Sequence, residues 1–438
     1  MNETSRSAPV PAHRASRLVH IGGLALGLAG NVLAEGARRL ASGERLDARN
    51  LLLTPQNAAR LSDKLSQLRG AAMKVGQLLS MEAGELLPPE FTAVLSRLRE
   101  DAHLMPLGQL ADVLDSQWGR GWTSGFDRFS FTPLAAASIG QVHEAWLKDG
   151  RHLAIKVQYP GVKRSIDSDV DNVAALLRVL PLLPGEADLT PLLGEAKRQL
   201  HEEADYRSEA THIREFRELL GDGPDFLLPE VVDELTTDSV LAMTYVSGVP
   251  VETLAAAEQV VRDRVAGLLL ELLFREFFEF GVVQTDPNFA NYRYDAGSER
   301  LVLLDFGATR VYPRDRMAEL RGLMSAALAD DLEGVARAAT VLGYLGADDA
   351  SERRLALAEL FRLVVEPARE RGPYDFGRSD LTLRLRDSSY VLAFDQGHWR
   401  PPPPDMIFLH RKLAGLFLLC ARLRARVDVR DLLLRYLD

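Results

Sequence analysis

Between residues 61 and 79 the apolar positions Leu61, Leu65, Leu68, Ala72, Val75 and Leu79 recur at steps of three and four. That spacing predicts a helix with one apolar stripe. Pro88 and Pro89 end the pattern before a second helix over 90–100. From residue 129 the texture changes. In FSFTPLAAASIGQVHEAWLKDGRHLAIKVQYPG (129–161) short apolar runs flank a polar KDG turn, which predicts a β-hairpin. Helical spacing returns over 163–220, broken by PLLPGEADLTP (181–191), and 199–216 reads as one charged helical run. LLPEVVDELTTDSVLAMTYVSG (227–248) predicts two short strands, and the strongly apolar stretch 256–280 a long helix. Beyond about 313 the chain reads as helical to its end, apart from the proline run 401–404.

The order is helices, a small β-rich section, then a helical lobe, which makes the chain α+β. It divides into a leader (1–50), a helical segment (51–118), a β-rich section with inserted helices (119–248) and a helical section (249–438). A hydrophobic fraction of 47% and a charged fraction of 26% over 438 residues are those of a soluble globular protein. The single cysteine, Cys420, excludes an internal disulfide and any cysteine-based metal site, and fits a reducing compartment.

A net charge of -10 argues against a nucleic-acid partner, but the charge is uneven. Residues 1–80 hold 11 Lys and Arg against 5 Asp and Glu, whereas the remainder is acidic. A basic end on an acidic body suits an anionic membrane surface, though a solvated basic face would look the same. Leu18 to Ala34 carries no Lys, Arg, Asp or Glu, but it is short and interrupted by four glycines. It is a poor transmembrane span and a poor secretory core. Gly23 and Gly27 form a GxxxG, the spacing that lets two helices approach closely.

The candidate chemistry is that of phosphoryl transfer, which needs a cation on the α/β-phosphates, oxygens for Mg²⁺, a loop over the phosphates and a group near the nucleophile. Lys156 lies in LAIKV, close to the V-A-I-K strand of protein kinases, with AAASIG (135–140) 16 to 21 residues upstream. Asp286 and Asn291 have the D-x-x-x-x-N spacing of a kinase catalytic loop, and Asp305 opens a DFG after an apolar strand. Each motif alone is weak and would pass as turn residues; their shared order is not. Glu209 is the candidate partner for Lys156, and Asp205 lies four residues before it. AMTYVSG (242–248) fits a hinge whose backbone at Thr244 and Val246 would bind adenine. No Walker A motif occurs, and no GxGxxG follows a strand.

On these residues the chain resembles the UbiB (aarF/ADCK) family of atypical protein-kinase-like proteins, and within it the branch of the mitochondrial coenzyme Q biosynthesis members. AAMKVGQ (71–77) matches that family's K-x-G-Q signature, AAASIGQVH (135–143) its alanine-rich loop, Glu203-Ala204-Asp205 its E-x-D element, and QTDPNFAN its catalytic loop. The similarity runs from about residue 20 to the C-terminus.

The resemblance implies a protein-kinase-like two-lobe fold, with a small β-rich N-lobe, a helical C-lobe, inserted helices and an N-terminal K-x-G-Q extension. It implies ATP and Mg²⁺ as ligands: Lys156 on the phosphates with Glu209 as partner, Asp286 at the catalytic-base position, and Asn291 and Asp305 on the metal. Ala135, Ala136, Ala137, Ser138, Ile139 and Gly140 would line the nucleotide, with Lys74, Gln77, Glu203 and Asp205 beside it. Alanine cannot let the loop approach phosphate as glycine does. An ATPase supporting ubiquinone or other prenylquinone synthesis is therefore favoured over ordinary protein phosphorylation. The expected partners are anionic lipid, prenylquinone precursors, quinone-biosynthesis enzymes and a second copy through the GxxxG face. The expected location is cytoplasmic and peripheral to a membrane, or the mitochondrial inner membrane in a eukaryote. A true small-molecule or protein kinase and a nucleotide-sensing scaffold are the alternatives. His410, Arg411 and Lys412 offer basic groups to lipid or to another lobe, with a structural role the simpler reading.

Overall fold

The computed structural model describes residues 71, 74, 75, 104–179, 190–286, 288–346, 348–395, 398–399 and 402–437. The leader with Gly23 and Gly27, the predicted helix over 90–100 and Gln77 lie outside the described residues. The chain divides into two compact units. One runs to Thr211 and takes in Glu230–Tyr245; the other comprises His212–Pro229 and Val246–Asp438.

The first unit is built on a sheet. Its elements are helix α1 (Leu107–Trp118), strands β1 (Phe126–Phe129), β2 (Ala135–Ala137), β3 (Gly140–Leu147) and β4 (His152–Gln158), then helices α2 (Val162–Val179), α3 (Thr190–Glu203) and the first turns of α4 (Tyr206–Leu220). Strand β5 (Phe226–Leu227) belongs to the second unit, and β6 (Val240–Thr244) returns to the first. The order is β1-β3-β4-β6, with β2 paired to β3, and every pairing is antiparallel. The predicted KDG hairpin is β3–β4, turned through Gly150 at φ 89°. Alternation along β4 puts Leu153, Ile155 and Val157 into a core with Ala145, Val240, Ala242 and the Leu110, Val113 and Leu114 face of α1. Lys156, between two of these residues in the strand, points to the opposite face.

Two sequence expectations change here. Ala135–Ala137 is a strand rather than a loop, joined to β3 by a two-residue turn at Ser138–Ile139. The charged run 199–216 is two helices, not one. Its break falls at Ala204–Asp205, where the Asp205 carboxylate accepts the Ser208 N–H at 3.1 Å and caps α4. An aspartate three residues ahead of a free helical N–H competes well with continuing the helix.

The second unit continues with β7 (Val249–Pro250) and α5 (Gln259–Arg275), whose buried face includes Val265, Leu268, Leu269, Leu270, Leu272 and Leu273. The long helix expected over 256–280 ends in a π-turn at Glu276–Phe280, closed by Gly281 at φ 66°. Strands β8 (Val282–Gln284), β9 (Tyr292–Asp295), β10 (Arg300–Leu303) and β11 (Thr309–Val311) follow. They form a four-stranded sheet, β5-β10-β9-β7, and a separate β8–β11 pair. Helices α6 (Arg314–Leu328), α7 (Leu332–Val341), α8 (Ser351–Val364), α9 (Glu366–Arg369), α10 (Leu381–Ala393), α11 (Pro404–Leu423) and α12 (Val429–Leu437) complete the unit. The predicted helical tail also holds short ladders, such as Tyr374–Asp375 with Arg426–Val427. Two-residue strands leave no periodic signal in a sequence.

Candidate functional site

In the first unit, β4 delivers Lys156 and the first turn of α4 delivers Glu209. The Lys156 ammonium donates to both carboxylate oxygens, at 2.7 and 2.9 Å. Lys156 is 8% exposed and Glu209 1%. The same ammonium lies 5.4 Å from the centre of the Tyr206 ring, a cation–π contact from the start of α4. A lysine that meets both oxygens of a buried carboxylate is fixed in direction, as a phosphate-binding cation must be.

A second cluster joins three of the predicted residues. Glu203, the last residue of α3, accepts from Lys74 at 2.5 Å on one oxygen and from the Ser138 hydroxyl at 2.6 Å on the other. The K-x-G-Q lysine and the turn of the alanine hairpin thus meet on one carboxylate. Lys74 is buried and helical. Asp205, expected beside Glu209 on one helical face, instead serves as the cap of α4. Gly140, where β3 begins, leaves no room for a side chain as the strands stand. A Cβ there would lie 2.3 Å from the Val157 carbonyl oxygen and 3.1 Å from the Tyr206 hydroxyl. The hinge expectation narrows as well. The Thr244 N–H donates to the Glu230 carbonyl at 2.8 Å and the Tyr245 N–H to the His152 carbonyl at 2.8 Å. Of its two backbone groups, Thr244 therefore has the carbonyl left to offer adenine. Val246 follows in the coil before β7.

In the second unit, Asp286 follows β8 and Asn291 ends a 3-10 turn capped by Asn288, whose side chain accepts the Ala290 N–H at 3.1 Å. Asn291 Nδ2 donates to Asp286 Oδ2 at 3.3 Å, and the Asn288 N–H donates to Asp286 Oδ1 at 3.3 Å. The D-x-x-x-x-N spacing is thus closed into one loop. Asp305 follows β10, with Oδ1 accepting the Gly307 N–H at 3.0 Å. The two motifs are tied together by backbone. Leu304 N–H donates to the Asn291 carbonyl at 3.1 Å, Thr285 N–H to the Ala308 carbonyl at 2.7 Å, and β8 pairs with β11. Phe306 of the DFG is buried against Phe216, ring centres 4.8 Å apart, and its carbonyl contacts His212 Nδ1 at 3.1 Å.

Sequence reasoning left out the support beneath this loop. Gln284, which stands where kinases place a histidine, donates from Nε2 to the Asp286 carbonyl at 3.0 Å and accepts the Tyr292 hydroxyl at 3.2 Å. Burial, with the negative charges of Glu276 and Asp286 adding to it, pushes the Tyr292 phenol well above its ordinary value, so it remains a donor. Glu276 and Lys412 form a buried ion pair adjoining the Gln284 backbone. Burial raises the Glu276 carboxyl and lowers the Lys412 ammonium, each against the pull of the other. Of the basic triplet on α11, Lys412 is thus internal, Arg411 is buried, and His410 contacts the Tyr344 hydroxyl at 2.6 Å. A Glu and a Lys 136 positions apart carry no signal of pairing.

The residues fit a nucleotide-bound magnesium ion. A carboxylate (Asp305) and an amide oxygen (Asn291, whose Nδ2 is already committed to Asp286) are hard donors. Mg²⁺ is ordinarily held by one or two such groups together with phosphate oxygens. Among the described residues no group of three or more His, Cys, Asp or Glu forms a self-contained metal site.

A sheet-bearing unit with a lysine–glutamate pair, and a largely helical unit with an Asp/Asn loop and a DFG, define a protein-kinase-like protein. The chain belongs to the ABC1 atypical kinase-like family, whose domain model matches residues 97–339. It is 40% identical over 434 residues to the atypical kinase COQ8B, mitochondrial, of Rattus norvegicus, covering 99% of this chain and 82% of the relative. It is 37% identical over 425 residues to the atypical kinase COQ8, mitochondrial, of Saccharomyces cerevisiae, covering 97% and 85%. Among solved structures, Rv3197 of Mycobacterium tuberculosis, determined as a complex with erythromycin, is similar at a TM-score of 0.61 and 28% identity. That match covers 86% of this chain and 94% of the other.

Proposed function

We propose that the chain is a Mg-ATP-binding atypical kinase that hydrolyses ATP in support of ubiquinone or related prenylquinone synthesis. The observation that carries this reading is the buried Lys156–Glu209 pair, with both ammonium–carboxylate bonds under 3 Å. Lys156 holds the α/β-phosphates and Glu209 fixes its direction. Asp286 orients the attacking hydroxyl or water and accepts its proton. Asn291 and Asp305 hold Mg²⁺, which neutralises charge on the phosphates when bound. Catalysis of this kind is mostly positioning and electrostatics.

Two features favour hydrolysis over phosphorylation of a protein substrate. Alanine side chains in β2 hold the hairpin off the phosphates. The Lys74–Glu203–Ser138 cluster ties the K-x-G-Q segment to that hairpin. A membrane-peripheral setting with anionic lipid agrees with the basic N-terminal sequence. Among the described residues no helix is long and apolar enough to cross a membrane. Mitochondrial placement follows the names of the relatives, and contact with quinone-pathway enzymes extends the resemblance read from the sequence.

The test is phosphate release and phosphate transfer by the full chain with Mg-ATP, with and without vesicles containing anionic lipid. Lipid-stimulated release that is lost in Asp305→Asn supports the reading. A labelled acceptor with little free phosphate would instead make the protein a true kinase. Nucleotide binding without either product would make it a scaffold.

A further inference from the structure

The roles assigned above leave one buried pair of opposite charges without a task. Glu276, in the π-turn after α5, is 0% exposed, and Lys412 of α11 is 5% exposed. Their charged ends are in contact, and both reach the same residue of the catalytic loop. Glu276 Oε1 accepts the Gln284 N–H at 3.3 Å, and the Gln284 carbonyl accepts from Lys412 Nζ at 2.7 Å. The carboxamide of Gln284 then extends the chain of contacts to the Asp286 carbonyl and the Tyr292 hydroxyl. Asp286 in turn accepts from Asn291.

Stability is a poor reason to keep such a pair. Apolar residues of similar volume commonly serve a core as well or better than a buried ion pair. What an apolar pair cannot do is hold the N–H and the carbonyl of one loop residue from opposite charges at once. The π-turn sets the helix end that carries Glu276 directly before β8, the kind of helix irregularity that is often found at functional sites.

We propose that Glu276 and Lys412 are positioning residues for ATP turnover. They fix the Gln284 backbone and, through it, the direction of the Asp286 carboxylate and the Asn291 amide bonded to it. Helix α11, some 128 positions along the chain from Gln284, is thereby part of the working loop. This rests on the role given above to Asp286.

The test uses the full chain and a control that touches the same helix. Tyr344→Phe removes the hydroxyl that contacts His410, two residues from Lys412 and with no bond to the loop. Lys412→Met and Glu276→Gln are compared with it in three measurements. These are kcat and KM for ATP, the thermal transition, and amide hydrogen exchange of the peptide spanning 282–292. A loop displaced by about 1 Å costs on the order of 100-fold. Lys412→Met is expected to lower kcat by roughly 10- to 100-fold with KM within about twofold, and to speed exchange across 282–292. Tyr344→Phe is expected to lower the transition temperature while leaving kcat and that exchange at wild-type values. Should Lys412→Met fail to fold, Glu276→Gln, which keeps size and an acceptor, must still reduce kcat several-fold. The proposal is overturned if Lys412→Met or Glu276→Gln behaves like Tyr344→Phe. If the unsubstituted chain releases no phosphate, the ATPase reading fails, and the exchange comparison still decides whether the pair holds the loop.

Discussion

Replacing Glu209 by alanine removes one side of a buried charge pair and leaves the other in place. The Lys156 ammonium then loses both of its bonds to that carboxylate, at 2.7 and 2.9 Å. At an effective dielectric of about 20 and a separation of about 3 Å, the gross attraction is roughly 6 kcal/mol, partly offset by desolvation. Breaking a buried pair by deleting one partner costs about 3–5 kcal/mol, because the remaining charge stays uncompensated. At about 2–4 °C per kcal/mol for a unit of this size, the transition should fall by roughly 6–20 °C.

The double change Lys156→Met with Glu209→Leu removes both charges and should melt within a few degrees of the unsubstituted chain. Yet it should bind Mg-ATP weakly and release no phosphate. Thermal melts of the three proteins, each with and without Mg-ATP, decide the matter. Equal melting of Glu209→Ala and the double variant, or a loss in Glu209→Ala of under about 1 kcal/mol, would refute the account of a charge held for function.

Other expectations follow from single contacts. Gly140→Ala drives a Cβ to 2.3 Å from the Val157 carbonyl, so β3 must shift from β4. A destabilisation of about 1–3 kcal/mol is expected, and an unchanged denaturant midpoint would show that the strand yields freely. Burial pulls the His410 imidazole down to about 4 from 6.5, so the unfolded chain takes up the proton first as pH falls. The contribution is complete above pH 6.5 and is lost on the way down to pH 4, about 3 kcal/mol in all. Melts at pH 7 and pH 5 should therefore differ less in His410→Asn than in the parent. Burial also pushes the Cys420 thiol up to about 12, so a maleimide should label the native chain slowly and the denatured chain at once. Fast native labelling would mean that α11 opens readily.

The sequence by itself determined the local parts and their order. The apolar run LAIKV placed Lys156 on a strand, and KDG marked its hairpin. The charged helix supplied Glu209, which the structure brings to Lys156, and D-x-x-x-x-N followed by DFG marked the loop. These are legible because a strand or helix repeats its burial every two or 3.6 residues, whatever packs against it.

Tertiary structure decided what such periods cannot encode. The Asp205 cap overrode helical charge spacing, and pairing to β3 turned three alanines from a loop into a strand. The Thr244 N–H was claimed by Glu230, fourteen positions earlier. Above all, Glu276 and Lys412 became partners across 136 residues of chain. In the sequence each is one more charge on a helix. Only when α5 and α11 pack and exclude water do their charges find each other, and Gln284 between them.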